Sequence, residues 1–174
     1  YLASIPGGGD RTPVPVLNSE GRPFPVDIRW SEYGDRRPAA EQAADAVERI
    51  VNSDSAGDIL VFMPGMGEIT STINALRAAK VRESCVFLPL HGDLPPEDQD
   101  RAFQPFDRRK IVVATNVAET SVTIDGVRHV VDSGLARIAR HDAERGIQML
   151  SVEPVSRASA EQRGHFHGYA SLRG

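Results

Sequence analysis

The spacing of hydrophobic residues along this chain changes several times, and each change predicts an element. Phe24, Val26, Ile28 and Trp30 alternate with Pro25, Asp27 and Arg29. That period of two predicts a strand with one buried face, anchored in the core by Trp30. Pro38 stands where a first helical turn begins. Ala40, Ala43, Ala44, Val47, Ile50 and Val51 follow at helical spacing until Ser53, Asp54, Ser55 and Gly57 end the helix. Ile59 to Met63 is apolar throughout, as expected of a strand covered on both faces. After the tight turn Pro64-Gly65-Met66-Gly67, Ile69, Ile73 and Leu76 mark the inner face of a second helix ending near Lys80.

The unit then repeats. Val86 to Leu90 is a third strand, with Pro89 near its end where a lost donor matters least. His91-Gly92-Asp93 forms the loop, and Pro95-Pro96-Glu97 opens a third helix carrying Ala102 and Phe103. Ile111 to Ala114 is a fourth strand and His129 to Asp132 a fifth. Strand, loop and helix in alternation predict an α/β fold in three layers, a mostly parallel sheet with helices on both faces. Beyond Gly134 the pattern changes again. Ala136–His141 and Gly146–Val152 flank the polar cluster Asp142 to Arg145, which predicts a β-hairpin over about 135–153. Pro154 to Arg163 begins like a helix, with Ser156 or Ser159 as caps. The tail from His165 has no periodicity. Residues 1–23, rich in Pro and Gly, read as a linker or entry segment, and 24–174 as the domain.

Composition narrows the function classes. The chain has 174 residues, 40% of them hydrophobic and 25% charged, as one ordinary soluble domain would have. A net charge of −4 argues against a broadly basic nucleic-acid binder, yet leaves room for a narrow groove on a few phosphates. Lys80 and Lys110 are the only lysines, and Arg supplies the remaining positive charge. Cys85, the single cysteine, excludes an intramolecular disulfide and a thiolate zinc site, and reads as a small buried hydrophobe. No apolar stretch approaches the roughly 20 residues of a membrane span. No signal peptide is visible, so the expected location is cytoplasmic, although a first residue of Tyr leaves the true N-terminus open.

The candidate chemistry gathers where strands end. The stretch Lys110 to Val127 starts as an apolar strand and breaks into Thr115-Asn116 and Glu119-Thr120-Ser121. An open α/β sheet delivers polar groups to the crevice at its carboxyl end in this way. Pro64-Gly65 and His91-Gly92 are placed alike, and amides and hydroxyls suit phosphate oxygens because they donate without full charge. For any one loop, helix capping and turn formation explain the same residues. Three loops on one edge point to a groove that follows a nucleic-acid backbone. No G-x-x-x-x-G-K-[ST] loop and no acidic magnesium cluster occur, so the chain by itself lacks the parts that hold a nucleoside triphosphate. His165 and His167 have no carboxylate or cysteine to complete a metal site, and none is expected.

Five segments taken in order resemble successive motifs of the second RecA-like domain of DEAH-box RNA helicases, which belong to helicase superfamily 2. They are Gly57-Asp-Ile-Leu-Val-Phe-Met-Pro-Gly65, Pro89-Leu-His-Gly-Asp-Leu-Pro-Pro96, Ala114-Thr-Asn-Val-Ala-Glu-Thr-Ser121, Val131-Asp-Ser-Gly-Leu-Ala-Arg137 and Ser156-Arg-Ala-Ser-Ala-Glu-Gln-Arg163. The resemblance implies that Gly65, His91, Thr115, Asn116 and Thr120 face the sugar-phosphate backbone of a single strand. It implies that Thr123 and Asp125 approach the nucleotide ribose. Phe103 would stack on adenine, although its spacing equally suits a buried helix residue. Gln162 would lie near the γ-phosphate and the attacking water, with Arg163 beside it. The hairpin would act in strand separation. ATP with Mg2+ would bind only together with a first RecA-like domain, and this chain alone would hold neither.

One departure stands out. The family continues after its Gln-Arg pair with two further arginines that act as fingers on the transferring phosphate, whereas here Phe166 and Tyr169 occupy those positions. A finger contributes on the order of 10³ to 10⁵ in turnover in related systems. Either the parent protein is a weak or inactive ATPase, or the end of the chain is truncated or altered. The abrupt loss of resemblance after Arg163 favours the second. The expected function is the second motor domain of an ATP-dependent RNA helicase, inactive in isolation. The alternatives are a degenerate module that binds nucleic acid or protein without hydrolysis, and a DNA-directed superfamily 2 helicase domain.

Overall fold

In a computed structural model of the protein, the described residues are 27–30, 35–53, 55–79, 84–115, 124–142, 147–155 and 169–171. Chain order runs β1 (Arg29–Trp30), α1 (Ala39–Asn52), β2 (Asp58–Phe62), α2 (Met66–Ala78), β3 (Cys85–Leu90), α3 (Pro96–Asp100), β4 (Arg109–Ala114), β5 (Val127–Asp132), β6 (Leu135–Asp142), β7 (Ile147–Pro154) and β8 (Tyr169–Ser171). Six strands form one sheet in the order β1-β8-β5-β2-β4-β3, and every pairing in it is parallel. β6 and β7 form a separate antiparallel ribbon.

The apolar run of β2 is what centres this sheet. β2 lies between β4 and β5, so both its faces are covered, and its side chains divide by parity. Ile59, Val61 and Met63 pack under α1 and α2 with Ile111, Val113 and Val131. Leu60 and Phe62 turn to the other face, where Val112, Ala114, Val130, Ile124 and Ala102 enclose them. The α1 stripe contributes Ala43, Ala44 and Val47 to the first core, as its helical spacing requires. Pro38 lies just before α1 and its carbonyl accepts the Glu41 and Gln42 amides at 3.0 and 3.2 Å. At the far end the Ser53 and Ser55 hydroxyls donate to the Ile50 carbonyl at 2.8 and 3.0 Å.

The predicted parallel α/β sheet and the hairpin are thus both present, and five local expectations need correction. Ile28 does not join a buried face: it is 42% exposed, because β1 is the outermost strand of the sheet. The third helix stops at Asp100, before Ala102 and Phe103. Those residues continue as tight turns, with the Ala102 and Phe103 amides each donating to a carbonyl three residues back, because Pro105 cannot extend a helix. Pro154 does not open a helix but ends β7 opposite Leu135. The tail contains a strand, β8, inserted between β1 and β5. Cys85 is only partly buried, packed at the margin of the first core. The side chain of Trp30, Phe24 and Val26, and the helix expected over 156–163, lie outside the described residues.

Candidate functional site

Parallel strands share one direction, so the sheet has a carboxyl edge and an amino edge, about 17–20 Å apart for strands of this length. At the carboxyl edge β2 runs into Pro64-Gly65 and α2, β3 into His91, β4 into Thr115, and β5 into Ser133-Gly134. Gly65 is the N-terminal cap of α2 with φ −171°, an extended conformation open to any residue. The space above it is taken by the ends of two flexible side chains. A Cβ would stand 2.8 Å from Nη2 of Arg137 and 3.0 Å from Oε2 of Glu68. Arg137 reaches across from β6 and pairs with Glu68 at 3.8 Å. The amides of the first α2 turn have no partner within the helix, and Met66 in that turn is exposed. The Thr115 amide is committed to the Leu90 carbonyl at 3.1 Å, which leaves its side-chain hydroxyl as the group on offer. His91 is buried at 7% exposure, and its Nδ1 has no hydrogen-bond partner among the described residues; nor has Oε2 of Glu68. The hairpin is tied to this edge through its base. The Ser133 amide donates to Phe62, the Gly134 amide to the Asp132 carboxylate at 2.7 Å, and the Val155 amide to Gly134 at 2.9 Å.

The amino edge is built differently. Asp58 opens β2, and its amide donates to the Gly126 carbonyl at 2.8 Å. Its Oδ1 accepts the Lys110 amide at 2.8 Å, while Oδ2 lies 3.8 Å from the Lys110 ammonium. That ammonium is 2% exposed at the side chain and donates to the Gln104 carbonyl at 3.2 Å. Arg109 donates through Nε to Gly57 at 2.7 Å and through Nη2 to the Ser55 carbonyl. His129 shares a hydrogen bond of 3.1 Å with the Ala56 carbonyl. Its burial, more than the charges of Arg109 and Arg128, holds its pKa below the usual imidazole value, against the opposing effect of the Ala56 bond.

These two edges divide the predicted site residues. Gly65, His91 and Thr115 stand at the carboxyl ends of β2, β3 and β4. Asp125 is exposed in the turn that opens β5, and Phe103 is partly exposed in the turn after α3, against the same core cluster as Ile124. The chain therefore leaves β4 at one edge and re-enters β5 at the other. Asn116, Thr120, Thr123, Gln162, Arg163 and Phe166 lie outside the described residues. Tyr169 belongs to β8, where its backbone pairs with Val130. An aromatic ring can stack on a base, and a carboxylate can accept from ribose hydroxyls. Asp58, Lys110 and Arg137 were not singled out from the sequence as site residues. Lys110 carried a usable signal, a lysine leading straight into an apolar strand.

Against known proteins, the model for the helicase conserved C-terminal domain matches residues 42–151. The chain belongs to this family. This helicase domain is 41% identical over 161 residues to the ATP-dependent RNA helicase HrpA of Escherichia coli, and 40% identical over 152 residues to the ATP-dependent RNA helicase HrpB of the same organism. It is 40% identical over 164 residues to the probable ATP-dependent RNA helicase DHX34 of Mus musculus. Each match covers 86% of this chain but only 12%, 18% and 14% of those relatives respectively. The crystal structure of the E. coli DExH-box NTPase HrpB superposes with a TM-score of 0.78 at 36% identity, over 91% of this chain and 20% of that one. The resemblance to the second RecA-like domain of DEAH-type helicases, and the fold it implies, are thereby shown.

Proposed function

We propose that this helicase domain is the second motor half of a DEAH-type RNA helicase. It grips single-stranded RNA along the carboxyl edge of its sheet. At the amino edge it supplies one wall of a site for ATP with Mg2+, completed by a first RecA-like domain. The observation that carries this reading is the lateral order β2-β4-β3, which sets Gly65, Thr115 and His91 on the ends of adjacent strands. Neighbouring strands lie about 5 Å apart, so a sugar-phosphate backbone crossing the strand ends meets the three in turn. The α2 amides, the Thr115 hydroxyl and the His91 ring offer polar contacts that carry no sequence preference. At the opposite edge Phe103 offers a stacking face and Asp125 an acceptor for ribose hydroxyls. ATP, when bound, supplies the hydrolytic step that opens and closes the cleft between the two domains. Gln162 and Arg163 remain candidates for the phosphate side.

The test compares the full-length protein with the 174-residue chain. The full-length protein is expected to hydrolyse ATP faster when single-stranded RNA is added, and the chain alone to hydrolyse none. Turnover by the isolated chain, or full-length turnover indifferent to nucleic acid, overturns the reading. A second reading, a binder without hydrolysis, draws on Tyr169, whose place in a sheet strand is unlike that of a finger on phosphate. Under it the full-length protein binds RNA and hydrolyses nothing until arginines replace Phe166 and Tyr169.

A further inference from the structure

We propose that the buried Asp58–Lys110 pair is a positioning device for the nucleotide wall, fixing the turn that carries Phe103 and the turn that carries Asp125 relative to each other. The inference rests on the functional reading above and extends it to two residues that touch no ligand.

Lys110 is 2% exposed, and burying an ammonium is costly unless its hydrogen bonds are met. Apolar residues of similar volume at both positions would fill this space and hold the domain equally well or better. Packing therefore gives no reason for a lysine here. What an apolar residue cannot do is donate to a carbonyl. The Lys110 ammonium donates to Gln104 at 3.2 Å, and Gln104 directly follows Phe103. The residues from Arg101 to Gln104 form tight turns without a helix to hold them, so this bond ties the Phe103 turn to the sheet.

The other half of the pair reaches the second turn. Asp58 takes the Lys110 amide on Oδ1 and stands 3.8 Å from the ammonium through Oδ2. Its own amide donates to Gly126 at 2.8 Å, and Gly126 directly follows Asp125. Gly126 has φ +88°, and a Cβ on it would stand 2.8 Å from Oδ2 of Asp58. The carboxylate is thus pressed against the bare Cα of the turn that presents Asp125. One ion pair touches the residue after each nucleotide candidate. Displacement of a binding group by about 1 Å can cost a hundredfold, so a fixed spacing between these turns has functional value.

The test uses the full-length protein carrying Lys110→Met and, separately, Gly126→Ala. Four quantities are read: affinity for a fluorescent ADP analogue, affinity for single-stranded RNA without nucleotide, the thermal unfolding midpoint, and hydrogen exchange in the nucleotide-free state. For Lys110→Met, which leaves the Asp58 carboxylate without its partner, the midpoint should fall, and RNA affinity should stay within roughly twofold of wild type. ADP-analogue affinity should fall on the order of tenfold to a hundredfold. Exchange should quicken at residues 101–106 and 124–128 and not at 62–69. Gly126→Ala reaches the Asp125 turn by another route and should weaken nucleotide binding in the same direction. Nucleotide affinity unchanged in folded Lys110→Met protein overturns the inference and leaves the functional reading intact. Equal losses of nucleotide and RNA affinity, with faster exchange throughout, also overturn it, since the pair would then be general scaffold. A wild-type protein that binds neither ligand overturns the functional reading and this inference together.

Discussion

The two edges of one sheet treat buried polarity in opposite ways. At the amino edge Lys110, Asp58 and Arg109 are satisfied by each other and by the carbonyls of Gly57, Ser55 and Gln104. At the carboxyl edge His91 Nδ1 and Glu68 Oε2 are buried with no hydrogen-bond partner among the described residues. The same strands, β2 and β4, run through both. An unmet buried group costs about 1–3 kcal/mol, so the fold completes its bonding at the amino edge and carries that cost at the carboxyl edge. The amino edge holds its turns with bonds of its own, and the carboxyl edge carries the unmet groups.

The largest test of this contrast is Asp58→Ala, which strands the buried Lys110 ammonium. Denaturant unfolding should show a loss of about 3–5 kcal/mol; a loss below about 1 kcal/mol would mean that the amino edge is not closed by this pair. A smaller effect of opposite sign is expected from His91→Phe, which puts a somewhat larger apolar ring in place of the orphaned nitrogen. Stability should hold or rise by about 1 kcal/mol, while single-strand affinity falls about tenfold, the worth of about one hydrogen bond to a charged group. If both properties fall together, His91 is structural and the carboxyl edge is not poised for a ligand. The smallest effect concerns His129. Its folded pKa lies below the unfolded value of about 6.5, so the unfolded chain takes up the proton first as pH falls. The stability held by the neutral ring is present above about pH 6.5 and is lost as pH drops through the folded pKa. His129→Gln should flatten that slope in unfolding measurements between about pH 7.5 and 5.5.

Much of the sheet was legible because burial on two faces leaves a plain mark. β2 and β4 are uninterrupted apolar runs for that reason, and α1 shows its stripe because one face alone is buried. β8 was not legible: three residues become a strand only because β1 and β5 stand ready on either side, and that is a fact of tertiary structure. Pro154 misled for a related reason. Its missing donor suits a helix start, but in a ribbon of two strands each strand has a free side, where the same lack is harmless. The candidate site divided similarly. Loops at strand ends follow from the alternation of elements, so the placement of Gly65, His91 and Thr115 at the carboxyl edge was legible. The roles of Asp58 and Lys110 depend on what lies across the sheet, 52 positions away in sequence, and no local pattern records that.

The position of β8 also bears on how the molecule is made. β1 joins the sheet only through β8, so nearly the whole described chain separates Arg29 from its partner Ala170. During synthesis β2 to β5 can assemble while β1 waits and the outer side of β5 stays an open strand edge, able to pair with another chain. Closing so long a loop is entropically slow. Completion of the sheet is therefore a late event, and a nascent chain paused before residue 169 would carry both an unplaced strand and an adhesive edge.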